Sequence, residues 1–231
     1  MKNYSFDSTR NIVDRQIRIW GEQNQEKLYN SNVLVLGSDY TSEMVLSGLV
    51  GLGVGNILIM GNRNIPKERP SFLSPGRNIS SKIRKFPQTL NKINPFLNIK
   101  SSQSSFSKSL LNYYEFNPRI IIDTTNNRES KLKVIDYLKK RKDKVFISSY
   151  ANSISSGVYR WNFKNPNSHL VRKGIKKESL QGIIPSGIAA GIILEEARKS
   201  LIPLERDNIL KDEVRYNLNL QDRIKAGKIN S

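Results

Sequence analysis

The sequence predicts an α/β fold, a doubly wound, mostly parallel sheet with helices on both faces. Three observations predict it. Short apolar runs bounded by turn residues recur along the chain: Asn32–Leu36 (NVLVL), Asn56–Met60 (NILIM), Arg119–Thr124 (RIIIDT) and Lys144–Ser149 (KVFISS). Such unbroken runs suit strands buried on both faces. Stretches with helical apolar spacing lie between them, and alternation of this kind builds a parallel sheet by right-handed crossovers. Finally, 231 residues with 37% hydrophobic content and no internal repeat or long linker read most simply as one domain.

Taken in order, residues 1–11 are polar and expected to be disordered. Residues 12–29 read as an amphipathic helix with Val13, Ile17, Trp20 and Leu28 near one face, interrupted by Gly21. After the first strand, 41–50 reads as a helix capped near Thr41 or Ser42 and ended by Gly51 to Gly55 (GLGVG). A loop with Pro66, Pro70 and Pro75 follows the second strand, then a helix over 79–93 that Pro87 should kink or split. A strand at 97–100, a short helix at 105–115 and the Arg119 strand come next. Residues 129–142 read as a basic helix with apolar Leu132, Ile135 and Leu138, and its lysine run, Lys131 to Lys144, as a solvated face. Strands at 144–149 and 156–163 precede a helix at 185–200 whose Gly187, Ala189, Ala190 and Gly191 allow close packing. The domain is set at 12–205, with 206–231 as a C-terminal extension. Trp20 and Trp161 read as packing residues, and His169 as an exposed loop residue.

Composition excludes several chemistries. There is no Cys, so no disulfide, no thiolate metal site and no thioester on this polypeptide. A single His argues against His-based metal sites and Ser-His-Asp catalysis. No metal site is expected. No apolar run approaches the roughly 20 residues of a membrane span, and no signal-like h-region opens the chain. The net charge is +18. It is uneven: residues 1–60 hold 5 Lys/Arg and 6 Asp/Glu, residues 61–100 hold 9 and 1, and residues 101–231 hold 24 and 13. A generally solvated basic surface and a dedicated site for a polyanion or acidic protein both fit that balance.

Four segments carry a family resemblance. Asp14 to Gly37 (DRQIRIWGEQNQEKLYNSNVLVLG), Ser71 to Pro95 (SFLSPGRNISSKIRKFPQTLNKINP), Ile120 to Ser130 (IIIDTTNNRES) and Ile183 to Lys199 (IIPSGIAAGIILEEARK) together resemble the ThiF/MoeB/HesA family of ubiquitin-type activating enzymes. The opening DRQIRIWG is most similar to the non-catalytic subunit of heterodimeric SUMO- and NEDD8-activating enzymes. The resemblance covers about residues 12–200 and implies a Rossmann-like adenylation-domain fold. It also implies chemistry in which ATP and magnesium adenylate the C-terminal glycine of a ubiquitin-like protein.

Carried over residue by residue, the family's nucleotide site is degenerate here. Its glycine-rich phosphate turn falls on Gly37-Ser38-Asp39-Tyr40-Thr41-Ser42, where only the first glycine remains. Asp39 brings negative charge and Tyr40 bulk to the place of the phosphates. The acids that end the second strand fall on Gly61 and Arg63, and the Asn-Arg pair on Arg69 and Pro70. One catalytic lysine falls on Ser80 while a second is matched by Lys82, and the magnesium acid falls on Asn126. Asp123 remains at a strand end, where Asp123 to Asn126 also read as a cap for the next helix. What persists is the first helix. There the resemblance gives Arg15, with Arg18 second, the role of an arginine finger that reaches the partner's nucleotide in trans. Both also read as ordinary exposed residues, Asp14 and Arg18 forming an i,i+4 pair.

The implied function is a non-catalytic subunit that pairs with a catalytic activating-enzyme subunit and acts with a ubiquitin-like protein. This chain then binds no cofactor, and ATP and magnesium sit on the partner. The implied location is the cytoplasm, or the nucleus in a eukaryotic source, with no membrane partner. A divergent ATP-dependent adenylating enzyme is the alternative. A basic nucleic-acid or acidic-protein binding module on a degenerate fold is the third reading.

Overall fold

The computed structural model describes residues 5–61, 73, 82–125, 127–141, 143–161, 182–205, 207 and 214–219, with Lys82 and 214–219 as backbone alone. Seven strands form one sheet: β1 (Asn32–Leu36), β2 (Asn56–Met60), β3 (Asn98–Ser102), β4 (Ile120–Asp123), β5 (Val145–Ala151), β6 (Ser155–Trp161) and β7 (Val214–Asn219). Their spatial order is β3-β2-β1-β4-β5-β6-β7. β1 to β5 are parallel, with Val35 opposite both Ile59 and Ile122, while β6 and β7 add antiparallel pairs. The order reverses between β1 and β4, the switch point at which open α/β sheets form a crevice beyond the strands' carboxyl ends.

Alternation along each strand divides the core in two. Val33, Val35, Ile57, Ile59, Ile122 and Ile147 face one side. They are covered by α4 (Tyr40–Gly51), α5 (Lys82–Ile93) and α8 (Ile183–Leu201) through Leu46, Phe86, Leu90 and Ile193. Leu34, Leu36, Leu58, Met60, Ile121 and Phe146 face the other side, under α6 (Lys108–Tyr113) and α7 (Arg128–Leu138) through Leu111, Val134 and Leu138. Each such side chain, once fully buried, stabilises the fold by about 1.5–3 kcal/mol relative to exposure. Trp161 packs as expected, stacked on Phe146 with ring centroids 5.0 Å apart.

Several expectations are corrected. Phe6–Thr9 form a helical turn, α1, within the segment expected to be disordered. Thr9 is buried, the Phe6 ring lies against Tyr29, and Arg10 pairs with Glu22 at 3.0 Å. The interruption expected at Gly21 is borne out: with φ 85° it divides the stretch 12–29 into α2 (Asp14–Trp20) and α3 (Glu22–Tyr29). α5 is not split at Pro87, and its Ile83, Phe86 and Leu90 are all buried on the sheet. The segment set aside as an extension supplies β7, which pairs with β6 in the same sheet. Asp207 holds α8's end by two bonds from Arg198 of 2.6 and 2.7 Å. The guanidinium keeps the Asp207 carboxyl below the usual carboxylate range. In α8, Ala189 and Ala190 are buried as expected, but Gly191 faces open space.

Candidate functional site at the switch point

The crevice is built by the β1–α4 turn, the end of β2 and the β4–α7 turn. Gly37 leaves β1 with φ 139°, and its N–H donates to Met60 O at 2.9 Å. A Cβ on Gly37 would lie 2.1 Å from Thr124 Oγ1. Thr124 closes the turn from the other side, its backbone N–H and its hydroxyl both donating to Leu36 O at 2.9 and 3.1 Å.

α4 is capped by Asp39, not by Thr41 or Ser42 as the sequence suggested. The Asp39 carboxylate accepts from Ser42 N at 2.8 Å and from the Thr124 hydroxyl at 3.1 Å. Ser42 Oγ returns a bond to Asp39 O at 2.7 Å. A helix N-terminus attracts anions because its first N–H groups lack partners and its dipole is positive there. In this protein the chain's own carboxylate takes that place. A second acid, buried Glu43, lies in the same first turn and accepts from Leu73 N at 3.1 Å. Thr89 donates to Leu73 O, so Leu73 is tied to α4 and α5 together.

These groups do not fit a polyphosphate. Two like unit charges 4 Å apart repel by about 4 kcal/mol at an effective dielectric of 20. That equals the whole free energy of a millimolar complex, about 4.1 kcal/mol. At the ribose position Gly61 is buried under Ile83, whose Cδ1 lies 2.1 Å from where a Cβ would stand. Arg63, Ser80 and Asn126 lie outside the described residues, as do Arg69, Pro70, His169 and the side chain of Lys82. Among the described residues no three His, Cys, Asp or Glu converge as a metal would require.

Beside the crevice lies a charge cluster that the sequence concealed. Asp123 is fully buried, and Lys131 Nζ reaches its Oδ2 at 3.0 Å. Lys131 also donates to Ser148 Oγ at 2.6 Å and Ser149 O at 3.2 Å, so one ammonium ties α7 to β4 and β5. Asp123 Oδ1 accepts from Thr125 N at 2.8 Å and from the Thr125 hydroxyl. Burial pushes the Asp123 carboxyl up, against the pull of Lys131 and Thr125. Asp123 therefore does not cap α7; Asn127 does, accepting from Ser130 N at 3.2 Å.

The lysine run from Lys131 to Lys144 was expected to form a solvated face, yet Lys131 in α7 and Lys144 before β5 are buried. Lys144 is held by Asn117 Oδ1 at 2.6 Å and Pro118 O at 2.9 Å, and burial lowers its ammonium's pKa. The buried face of α7 is Lys131, Val134 and Leu138, while Leu132 is exposed.

α2 lies outside the crevice and carries the arginines. It is pinned at its end by Trp20 Nε1, which donates to Gln25 Oε1 at 2.9 Å, while Gln25 Nε2 donates to Leu52 O at 2.7 Å. Arg18 pairs with Asp14 at 2.8 Å, the ordinary i,i+4 arrangement, with both partners exposed. Arg15 is exposed and has no hydrogen-bond or ion-pair partner among the described residues. Ile19, one turn along the same helix, is 68% exposed, and Ile12 just before it is 42% exposed.

A parallel sheet reversing at β1 and β4, with helices on both faces and a helix N-terminus at the crevice, defines a protein of the doubly wound, Rossmann-like α/β class. The family model for the ThiF family matches residues 13–226, and the chain belongs to that family. It is 25% identical over 223 residues to tRNA threonylcarbamoyladenosine dehydratase 1 of Saccharomyces cerevisiae, a match covering 90% of this chain and 50% of that protein. It is 22% identical over 209 residues to SUMO-activating enzyme subunit 1 of Mus musculus, covering 88% of this chain and 55% of that one. The chain thus spans about half the length of these relatives. Among solved structures, the selenomethionine crystal structure of PaaA superposes with a TM-score of 0.72 at 15% identity, covering 96% of this chain and 82% of that one. At that identity the likeness shows the fold. Among the described residues no helix is long and apolar enough to cross a membrane.

Proposed function

We propose that this chain is the non-catalytic subunit of an enzyme that activates a ubiquitin-like modifier. A catalytic subunit binds ATP, magnesium and the ubiquitin-like protein in the cytoplasm or nucleus. This chain pairs with it and supplies Arg15 in trans, where a permanently charged, forked guanidinium neutralises phosphate charge as the acyl-adenylate forms. One observation carries the reading: Arg15 stands exposed without a partner among the described residues, on a helix flanked by exposed isoleucines, while the chain's own crevice is capped by Asp39. Membership of the ThiF family and the likeness to a SUMO-activating enzyme subunit support it.

The test is acyl-adenylate formation by the chain with a catalytic subunit co-purified from its source. Arg15→Ala is expected to slow this step by about tenfold to a hundredfold, within the range of single electrostatic contacts to a transition state. Arg18→Ala, which loses only an exposed pair, is expected to stay within about twofold. An unchanged rate for Arg15→Ala, with the pair intact by size-exclusion chromatography, removes the finger. ATP–pyrophosphate exchange by the chain alone overturns the non-catalytic reading and assigns adenylation to this polypeptide.

A further inference from the structure

α5, β3 and α6 follow one another in the chain and form one margin of the sheet, where β3 is the terminal strand. From Lys82 to Tyr114 the sequence holds six Lys or Arg and no Asp or Glu. Arg84, Lys85, Lys92 and Lys108 are exposed and Lys100 is half-buried. None of these five enters an ion pair among the described residues. α7 shows the contrast: Lys133 pairs with Glu129 at 2.7 Å and Lys139 with Asp136 at 3.0 Å. Unlike Lys133 and Lys139, these five cations have no carboxylate partner among the described residues, and the first acid after them in sequence is exposed Glu115 at the end of α6.

An aromatic pair stands at the same margin. Tyr113 is 78% exposed, the most exposed of the large apolar and aromatic side chains described. Its ring meets Tyr114 edge-on, with centroids 5.1 Å apart and an interplanar angle of 82°. Tyr114 is the anchor: it packs on the second core, and Lys100 Nζ lies 5.8 Å from its ring centroid. The end of α6 is fixed by Glu115, whose φ of 50° lets its own N–H donate to Asn112 O and the Phe116 N–H to Leu111 O. Tyr113 is thereby held on an ordered helix end with its ring open to solvent.

We infer that this margin binds a single-stranded nucleic acid, with phosphates on Lys100 of β3 and Lys108 of α6, on the face of the sheet that carries Tyr114, and a base stacked on Tyr113. Base-on-aromatic stacking beside a cationic track is how single strands are held without strong sequence preference. A lysine on a terminal strand also discourages edge-to-edge pairing, but that accounts for Lys100 alone. An acidic protein segment would use the cations and leave Tyr113 idle. The exposed ring therefore favours a partner with π-faces.

The test is fluorescence anisotropy of the full chain with three labelled probes: a mixed-sequence RNA of about 12 nucleotides, the DNA of the same sequence, and a polyglutamate peptide of equal charge. Single-stranded RNA is expected to bind with a steep salt dependence. Tyr113→Ala is expected to weaken it by roughly 5- to 100-fold, the loss of one stack, with the salt slope kept. The pair Lys100→Gln and Lys108→Gln is expected to lower that slope by about 1.4, roughly 0.7 per phosphate contact. Lys133→Gln with Lys139→Gln, on α7, is expected to leave binding as it was. Thermal melts matching the unsubstituted chain establish that each variant is folded. RNA binding tighter than DNA assigns the 2′-hydroxyl a contact, and equal binding assigns recognition to phosphate and base; both support the inference. Binding by Tyr113→Ala equal to that of the unsubstituted chain overturns it. So does loss of binding by the α7 variant equal to that at the margin, or peptide binding as tight as RNA.

Discussion

Lys131→Met is expected to destabilise the protein by about 3–5 kcal/mol at neutral pH, because it strands a buried carboxylate. Asp123 is 0% exposed, and its Oδ2 has Lys131 Nζ at 3.0 Å. Thr125 satisfies Oδ1, so removing the ammonium leaves Oδ2 buried without it, and Ser148 Oγ and Ser149 O lose the same donor. The pH dependence identifies the cause. Burial raises the folded-state pKa of Asp123, and an acid so raised favours folding in its protonated form. That contribution is full below the ordinary aspartate value and is lost as pH rises through the raised one. Without Lys131 one of the lowering influences disappears, so the variant's deficit should be largest near pH 7 and shrink as the solution is made acidic. Asp123→Asn combined with Lys131→Met removes both charges and should recover most of the loss. Urea denaturation of both variants at several pH values measures this. A deficit independent of pH, or a double variant no better than the single, would show that Lys131 acts through packing and not through charge.

How much of this was legible in the sequence follows from what each segment has to say locally. β1, β2 and β4 are covered on both faces, so each reads as an unbroken apolar run, and α8 shows its small residues plainly. β7 (VRYNLN) lacks such a run and reads as part of the tail, because its place is set by pairing with β6. In the site, the loss of glycines from the phosphate turn was visible. Asp39 reads from the sequence as negative charge in the phosphates' place, and its capping of α4 is a second role legible there as well. Asp is a favoured N-cap, and Asp39 with Ser42 three residues on was the available signal. Lys131 was hidden because seven cations in one stretch average to a solvated face. The clue was its spacing, i, i+3 and i+7 with Val134 and Leu138, on the side that turned out to face Asp123. Spacing marks Lys131 as buried, but its pairing with Asp123, eight residues earlier, is set by how α7 packs on β4 and β5.

Gly37→Ala is expected to cost about 3–4 kcal/mol, and it asks why a glycine stands in a turn that has lost its companions. One account is phosphate approach, for which backbone must come close to an anion. The structure supplies another. At φ 139° an alanine is strained, and its Cβ would fall 2.1 Å from Thr124 Oγ1 and 3.4 Å from Ser42 Cβ. The strain and the collision together give the expected magnitude. They arise from protein atoms alone, since Thr124 Oγ1 is held there by its bonds to Leu36 O and Asp39 Oδ1. The two accounts separate in a cycle. Thr124→Ala alone should cost about 1 kcal/mol for its lost hydrogen bonds. With Gly37→Ala it should cost less than the sum, because the colliding oxygen is gone. Coupling of that sign, measured by chemical denaturation, means the glycine serves the closed turn between β1 and β4. An alanine tolerated within about 0.5 kcal/mol would mean the turn has room for it. The glycine would then have no structural reason to be there, and the capped crevice would have to be reopened as a place for nucleotide.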